Sequence, residues 1–159
     1  MKSRPKTLLE ELRQSKPFES PEQEAILALQ RTTDLLRRHF IQVIGPHGIS
    51  PQQYNVLRIL RGAGAAGTPT LDIADRMIEK TPGITRLLDR LEGKHLVRRR
   101  RCPEDRRQVL CWITESGLKL LAELDKPVSD PGPRYLQSLS SDEVRQLIDM
   151  LERIRAALA

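Results

Sequence analysis

The sequence predicts a mostly α chain with a small two- to three-stranded β wing, a winged helix-turn-helix with long N- and C-terminal dimerisation helices. Three observations predict it. Apolar residues recur at spacings of three and four along most of the 159 residues, which is the period of an amphipathic helix. That pattern breaks once, where the β-competent stretches 96–101 and 108–113 flank the turn-forming Cys102-Pro103-Glu104-Asp105. The third observation is charge. Nine basic residues stand between Arg86 and Arg107 against four acids, so this segment carries +5 of the chain's +6. Positive charge focused beside a helix is the electrostatic footprint of a nucleic-acid reader.

The bulk numbers narrow the class. At this length the chain makes one domain, with or without an attached oligomerisation module. Aromatic residues are only 3% of the sequence, so the core draws on Leu, Ile, Val and Ala, which suits packed helices. No apolar run approaches the roughly 20 residues that cross a bilayer. Lys2, Arg4 and Lys6 resemble the basic start of an export signal, but Glu10 and Glu11 follow Leu8 and Leu9 at once, so a cytoplasmic location with Cys102 and Cys111 reduced is expected.

Taken in order, residues 1–19 read as an N-terminal arm with one or two helical turns around Leu8, Leu9 and Leu12. Ser20-Pro21-Glu22-Gln23 places a cap, a proline at the first helical position and a Gln three residues after the cap, so a long helix starts there and runs to Gly45-Pro46. Ser50-Pro51-Gln52-Gln53 repeats that start, and the second helix ends near Gly62. Thr70 is expected to cap a short helix with Leu71, Ile73, Ala74 and Met77 inward. Thr81-Pro82 is expected to open the next, with Ile84, Leu87, Leu88 and Leu91 on one stripe and Thr85, Arg86, Asp89 and Arg90 opposite. Two short helices and a turn make a helix-turn-helix, and the two strands after it make a wing. Every residue of 109–113 is apolar, so both faces of the second strand should meet protein. Thr114 begins another helix, expected to be interrupted at Lys126-Pro127, and Asp130-Pro131-Gly132-Pro133 is a break. Ser140 caps the last helix. The organisation is thus an arm at 1–19, a helical dimerisation region at 20–49 and 128–159, and a DNA-binding winged helix at 50–127.

The residues ITRLLDRLEGKHLVRR, 84–99, and DRRQVLCWITESG, 105–117, resemble the MarR family of winged-helix transcription regulators. The second stretch is similar to that family's wing signature, an Asp-x-Arg followed by a strand and a Thr-x-x-Gly helix start. The resemblance implies a homodimer on double-stranded DNA, more often a repressor. It also implies release by a small aromatic or anionic ligand, held in a cleft near Tyr54, the first long helix and the helix after Thr114. The apolar stripes at the chain ends point to a dimer independently. Ile26, Leu29, Leu36, Phe40, Leu147, Leu151, Ile154 and Leu158 exceed what a compact winged helix could cover.

The DNA-binding residues expected are Thr81, Pro82, Gly83, Thr85, Arg86 and Arg90 on the second helix of the motif, with Arg100, Arg106 and Arg107 on the wing. A helix N-terminus in the major groove offers backbone N–H groups and short side chains to phosphates, and Arg86 to a base edge. Arg107 aligns with the family's minor-groove arginine and Asp105 with the acid that orients it, consistent with the strong negative potential of a narrow groove. Asp89 would repel phosphate and is expected to orient Arg86 or Arg90. In a strand, side chains alternate, so at most two of Arg98 to Arg101 can face DNA together; the others pair with acids or position the wing.

Other functions are weighed against this. His39, His47 and His95 fall in three elements without metal-ligand spacing, so no metal and no cofactor are expected. No nucleophile, base and orienting acid can be grouped, and no phosphate loop is present, so the chain is not expected to be an enzyme. A winged-helix protein-interaction module would need an apolar outer face on the second helix. A thiol-based regulator would use Cys102, whose basic neighbours favour thiolate.

Overall fold

The structure is a computed structural model that describes residues 6–80, 82–105, 107–129 and 135–158. They fall into two compact units, with the division of the chain between Gln42 and Val43. The α-helices among the described residues are α1 (Leu8–Glu11), α2 (Pro21–Ile44), α3 (Pro51–Ala63), α4 (Thr70–Arg76), α5 (Ile84–Gly93), α6 (Glu115–Ser129) and α7 (Ser141–Leu158). Three strands accompany them: β1 (Thr68–Pro69), β2 (Val97–Arg101) and β3 (Val109–Ile113).

In the first unit, α1 is a single turn closed by a capping box. The Glu10 amide donates to the Thr7 hydroxyl, and the Glu10 carboxylate accepts from the Thr7 amide at 2.7 Å. Arg31 of α2 reaches Glu11 at 3.3 Å, which ties the arm's turn to the long helix. The start of α2 is the expected one, with the Gln23 amide donating to Ser20 Oγ. Ile26, Leu35, Leu36 and Ile41 remain exposed along it.

The second unit is built on α3, whose capping box pairs Ser50 with Gln53 and whose Tyr54, Val56, Leu57, Ile59 and Leu60 are buried. Around it pack Ile73 and Met77 of the α4 region, Leu88 and Leu91 of α5, Val97, Cys111, and Leu121 and Leu124 of α6. Each such aliphatic side chain contributes about 1.5–3 kcal/mol by leaving water. The sheet has the order β1-β3-β2, with both pairings antiparallel. Residues 109–113 are uniformly apolar because β3 is the central strand. The third strand, β1, is only two residues long, too short to leave a periodic signal.

Four local expectations are corrected. Thr70 does not cap α4. Pro69 holds the cap position without a side-chain bond, and the Thr70 hydroxyl donates instead to the Val109 carbonyl at 3.2 Å. Leu71 points outward, 75% exposed. It lies two positions from Ile73, about 200° round the helix from the buried side. Helix α5 opens at Ile84 rather than at Thr81-Pro82, because Gly83 takes φ +93°, a left-handed conformation that cannot continue a right-handed helix. Pro127 does not interrupt α6, which continues to Ser129. The bond it forfeits is that of the Glu123 carbonyl, on an exposed residue open to solvent. The expected break at 130–133 lies outside the described residues.

Candidate nucleic-acid interface

The buried stripe of α5 fixes what its other side presents. Leu88 and Leu91 are fully buried, so Thr85, Arg86, Asp89 and Arg90, offset from them round the helix, are exposed. Pro82 and Gly83 are exposed in the turn that leads into the helix. Thr81 and Arg106 lie outside the described residues.

The wing is the hairpin of β2 and β3. The Cys102 amide donates to the Gln108 carbonyl at 2.9 Å, and the Gln108 amide to the Asp105 carbonyl. Asp105 Oδ1 accepts the Arg107 amide at 3.0 Å, and its Oδ2 accepts from the Gln108 side chain at 3.2 Å. Asp105 therefore shapes the turn that carries Arg107 through the backbone. Among the described residues, the exposed Arg107 side chain has no acidic partner.

The four consecutive arginines divide by strand alternation. Val97 is buried and Arg99 shares its face, turned toward α5. Arg99 Nε and Nη2 donate to Glu92 Oε2 at 2.9 and 2.6 Å, and Nη2 also reaches Asp89 Oδ1 at 2.6 Å. Its backbone N–H donates to Glu92 Oε1 at 3.0 Å. The guanidinium's hydrogen bonds, those to Glu92 foremost, raise its pKa. Asp89 is thus engaged by Arg99, not by Arg86 or Arg90 as expected. Arg99, on the sheet face turned toward α5, brings its guanidinium to both carboxylates of that helix at once. Arg98 and Arg100 occupy the opposite sheet face. Arg98 lies over the Trp112 ring at 4.4 Å, and the Trp112 indole N–H donates to the Ala65 carbonyl at 3.0 Å. Arg100, expected among the wing's DNA contacts, is exposed on the sheet face opposite Arg99.

Between the start of α5 and the wing lies an open concavity of about 650 Å³, lined by residues that include Thr85, Arg99, Arg107, Leu71 and Asp72. Sequence reasoning missed Leu71, which it had placed inward, and Arg99, which nothing distinguished from its three neighbours. No residue near Tyr54 lines this concavity. Tyr54 itself is buried, its hydroxyl accepting from Arg58 at 3.3 Å.

Cys102 is a half-buried free thiol beside the wing turn, and Cys111 is buried, its thiol pKa pushed up by that burial. Among the described residues, no three His, Cys, Asp or Glu side chains stand close enough to hold a metal ion. No helix among them is long and apolar enough to cross a membrane.

Of the residues expected to pair subunits, Ile26, Leu36, Ile154 and Leu158 are 57%, 45%, 44% and 82% exposed in the single chain. Leu29, Phe40, Leu147 and Leu151 are half-buried. Helix α7 has no buried residue at all.

The MarR family pattern matches residues 49–109, from the start of α3 to the wing. The chain is 30% identical over 128 residues to the HTH-type transcriptional regulator MhqR of Bacillus subtilis, spanning 80% of this chain and 87% of that one. Its fold matches the crystal structure of a MarR transcription factor from Planctomyces limnophilus with a TM-score of 0.66. The two are 44% identical, over 86% of this chain and 98% of the other. The S. aureus MepR–DNA complex shares the fold at a TM-score of 0.76 and 22% identity, covering 82% and 95% of the two chains. An exposed helix after a turn, a β-hairpin wing beside it and a match over most of the chain to such regulators give one conclusion: the chain belongs to the MarR family of DNA-binding transcription regulators.

Proposed function

We propose that the chain acts in the cytoplasm as a homodimer on a pseudo-palindromic operator, more often as a repressor. In this reading, 50–127 is the reading head and 20–49 with 128–159 form the dimer region. Helix α5 enters the major groove, where Arg86 contacts a base edge and Thr81, Pro82, Gly83, Thr85 and Arg90 contact the backbone. Arg107 enters the adjacent minor groove and Arg106 meets phosphate. Arg100, exposed on the sheet face opposite Arg99, is the wing's remaining DNA contact.

The observation that carries this reading is that Thr85 and Arg107 line one concavity, so the helix start and the wing tip face the same side. The two acids of α5 that would repel phosphate are both engaged by Arg99. MepR, of the same fold, has been solved bound to DNA. Exposed apolar residues along α2 and α7 support the dimer, since such stripes call for a partner. A small aromatic or anionic ligand releasing the DNA completes the reading; it involves no catalysis and no cofactor.

The test is selection from a random duplex library at moderate salt, with Arg107→Ala in parallel. An enriched palindrome is expected. Loss of one groove contact should lower affinity about tenfold and reduce the salt slope by about one. Retention without any enriched sequence would refute specific recognition.

A further inference from the structure

We infer that Arg99 is a positioning residue: gripping Glu92 and Asp89 from β2, it sets the wing against α5 and thereby acts on DNA binding without touching DNA. The inference rests on the DNA-binding reading above and adds to it a device that reading does not contain.

The geometry points to a lock rather than an incidental surface pair. Four hydrogen bonds converge on this residue, three from its guanidinium and one from its backbone N–H. Its side chain is only 20% exposed, against 53% for Asp89 and 39% for Glu92. Asp89 and Glu92 are three residues apart, hence on one side of the helix and within reach of a single planar fork. An isolated exposed pair adds little, because two long side chains must be ordered for a screened attraction. Here the backbone N–H is included, so the path of the strand itself is held to the helix. The other bonds near the hairpin base, from the Thr114 amide to the Leu96 carbonyl and the Thr114 hydroxyl to the His95 carbonyl, fix where the wing starts. Arg99 fixes the direction in which it leaves.

Two roles for Arg99 make opposite forecasts. If it only neutralised acids near phosphate, Glu92→Gln would raise affinity, because the face becomes one charge more positive. If it positions the wing, Glu92→Gln lowers affinity, because the new amide N–H group opposes the guanidinium donors and the grip loosens.

The experiment measures affinity for the duplex most enriched by the parent, with Glu92→Gln and the milder Asp89→Asn, each in the parent and in the Arg107→Ala background. Hydrogen exchange of the wing amides is followed without DNA. The expected result is faster wing exchange, with the α3 amides unchanged, and an affinity loss of about tenfold for Glu92→Gln. That loss should largely vanish in the Arg107→Ala background, since a mispositioned wing can only forfeit a contact that exists. Asp89→Asn should follow the same pattern with a smaller loss, which serves if Glu92→Gln does not fold. Unchanged or raised affinity, or equal losses in both backgrounds, would overturn the positioning role while DNA binding stands. A parent that enriches no duplex would overturn the DNA-binding reading and this inference with it.

Discussion

Gly67 precedes β1 with φ +78° and ψ +158°, a region that essentially only glycine enters. A Cβ built there would lie 2.5 Å from Trp112 Cε2 and 2.6 Å from Cζ2. Gly67→Ala therefore imposes two costs. Holding an alanine in this backbone conformation costs about 1–3 kcal/mol. Moving the indole away gives up its hydrogen bond to the Ala65 carbonyl, about 0.5–1.5 kcal/mol, and its stacking with Arg98, about 0.5–2 kcal/mol. The sum is about 2–6.5 kcal/mol. At about 2–4 °C per kcal/mol for a chain of this size, the melting temperature should fall by at least about 4 °C. Thermal unfolding at one fixed protein concentration measures it, since a dimer's midpoint depends on concentration. Trp112 is the only tryptophan, so its emission reports the displacement directly and should shift to the red. A loss below about 0.5 kcal/mol with unshifted emission would refute the reasoning that only glycine fits at position 67 against the Trp112 indole.

The ion pair between Arg61 of α3 and Asp125 of α6, at 2.8 and 2.9 Å, makes a pH prediction. Hydrogen bonding to Arg61 lowers the Asp125 pKa, so the contribution is present above the unfolded carboxylate value and lost as pH falls through the folded one. The melting-temperature gap between parent and Asp125→Asn should be constant from pH 5 to 7 and close below about pH 4; a gap that persisted in acid would show the pair to be inert. At the chain ends, Leu36→Asp combined with Ile154→Asp should turn a dimer into a monomer in sedimentation, because each charge would be buried against apolar surface. Unchanged mass would move the dimer contact elsewhere. For the core of the reading head, Leu88→Ala at a fully buried position should cost about 2–5 kcal/mol by denaturant unfolding. A smaller loss would mean that the site collapses around the deletion.

Much of the architecture was legible because it is local. The starts at Ser20, Ser50 and Ser140 each require only a hydroxyl at the cap and a Gln or Glu three residues on, and all three pairs hydrogen-bond as such signals dictate. The α5 stripe, the wing turn at 102–105 and the uniformly apolar β3 are likewise patterns of period or composition within a dozen residues. The concentration of charge between Arg86 and Arg107 needs no coordinates at all.

What the tertiary structure decided is partner choice. Four adjacent arginines are equivalent as letters, yet strand alternation and the approach of α5 give Arg99 to two carboxylates and Arg98 to Trp112. Thr70 had the chemistry of a cap, but the arrival of β3 brought the Val109 carbonyl within reach of its hydroxyl. Leu71 fits a helical stripe in one phase and not in the one set by Ile73 and Met77. In each case the competing options differ by a hydrogen bond or a rotation of the helix, about 1 kcal/mol, too little for local sequence to settle. Contacts between residues distant along the chain select among them, because those contacts exist only once the core around α3 has formed.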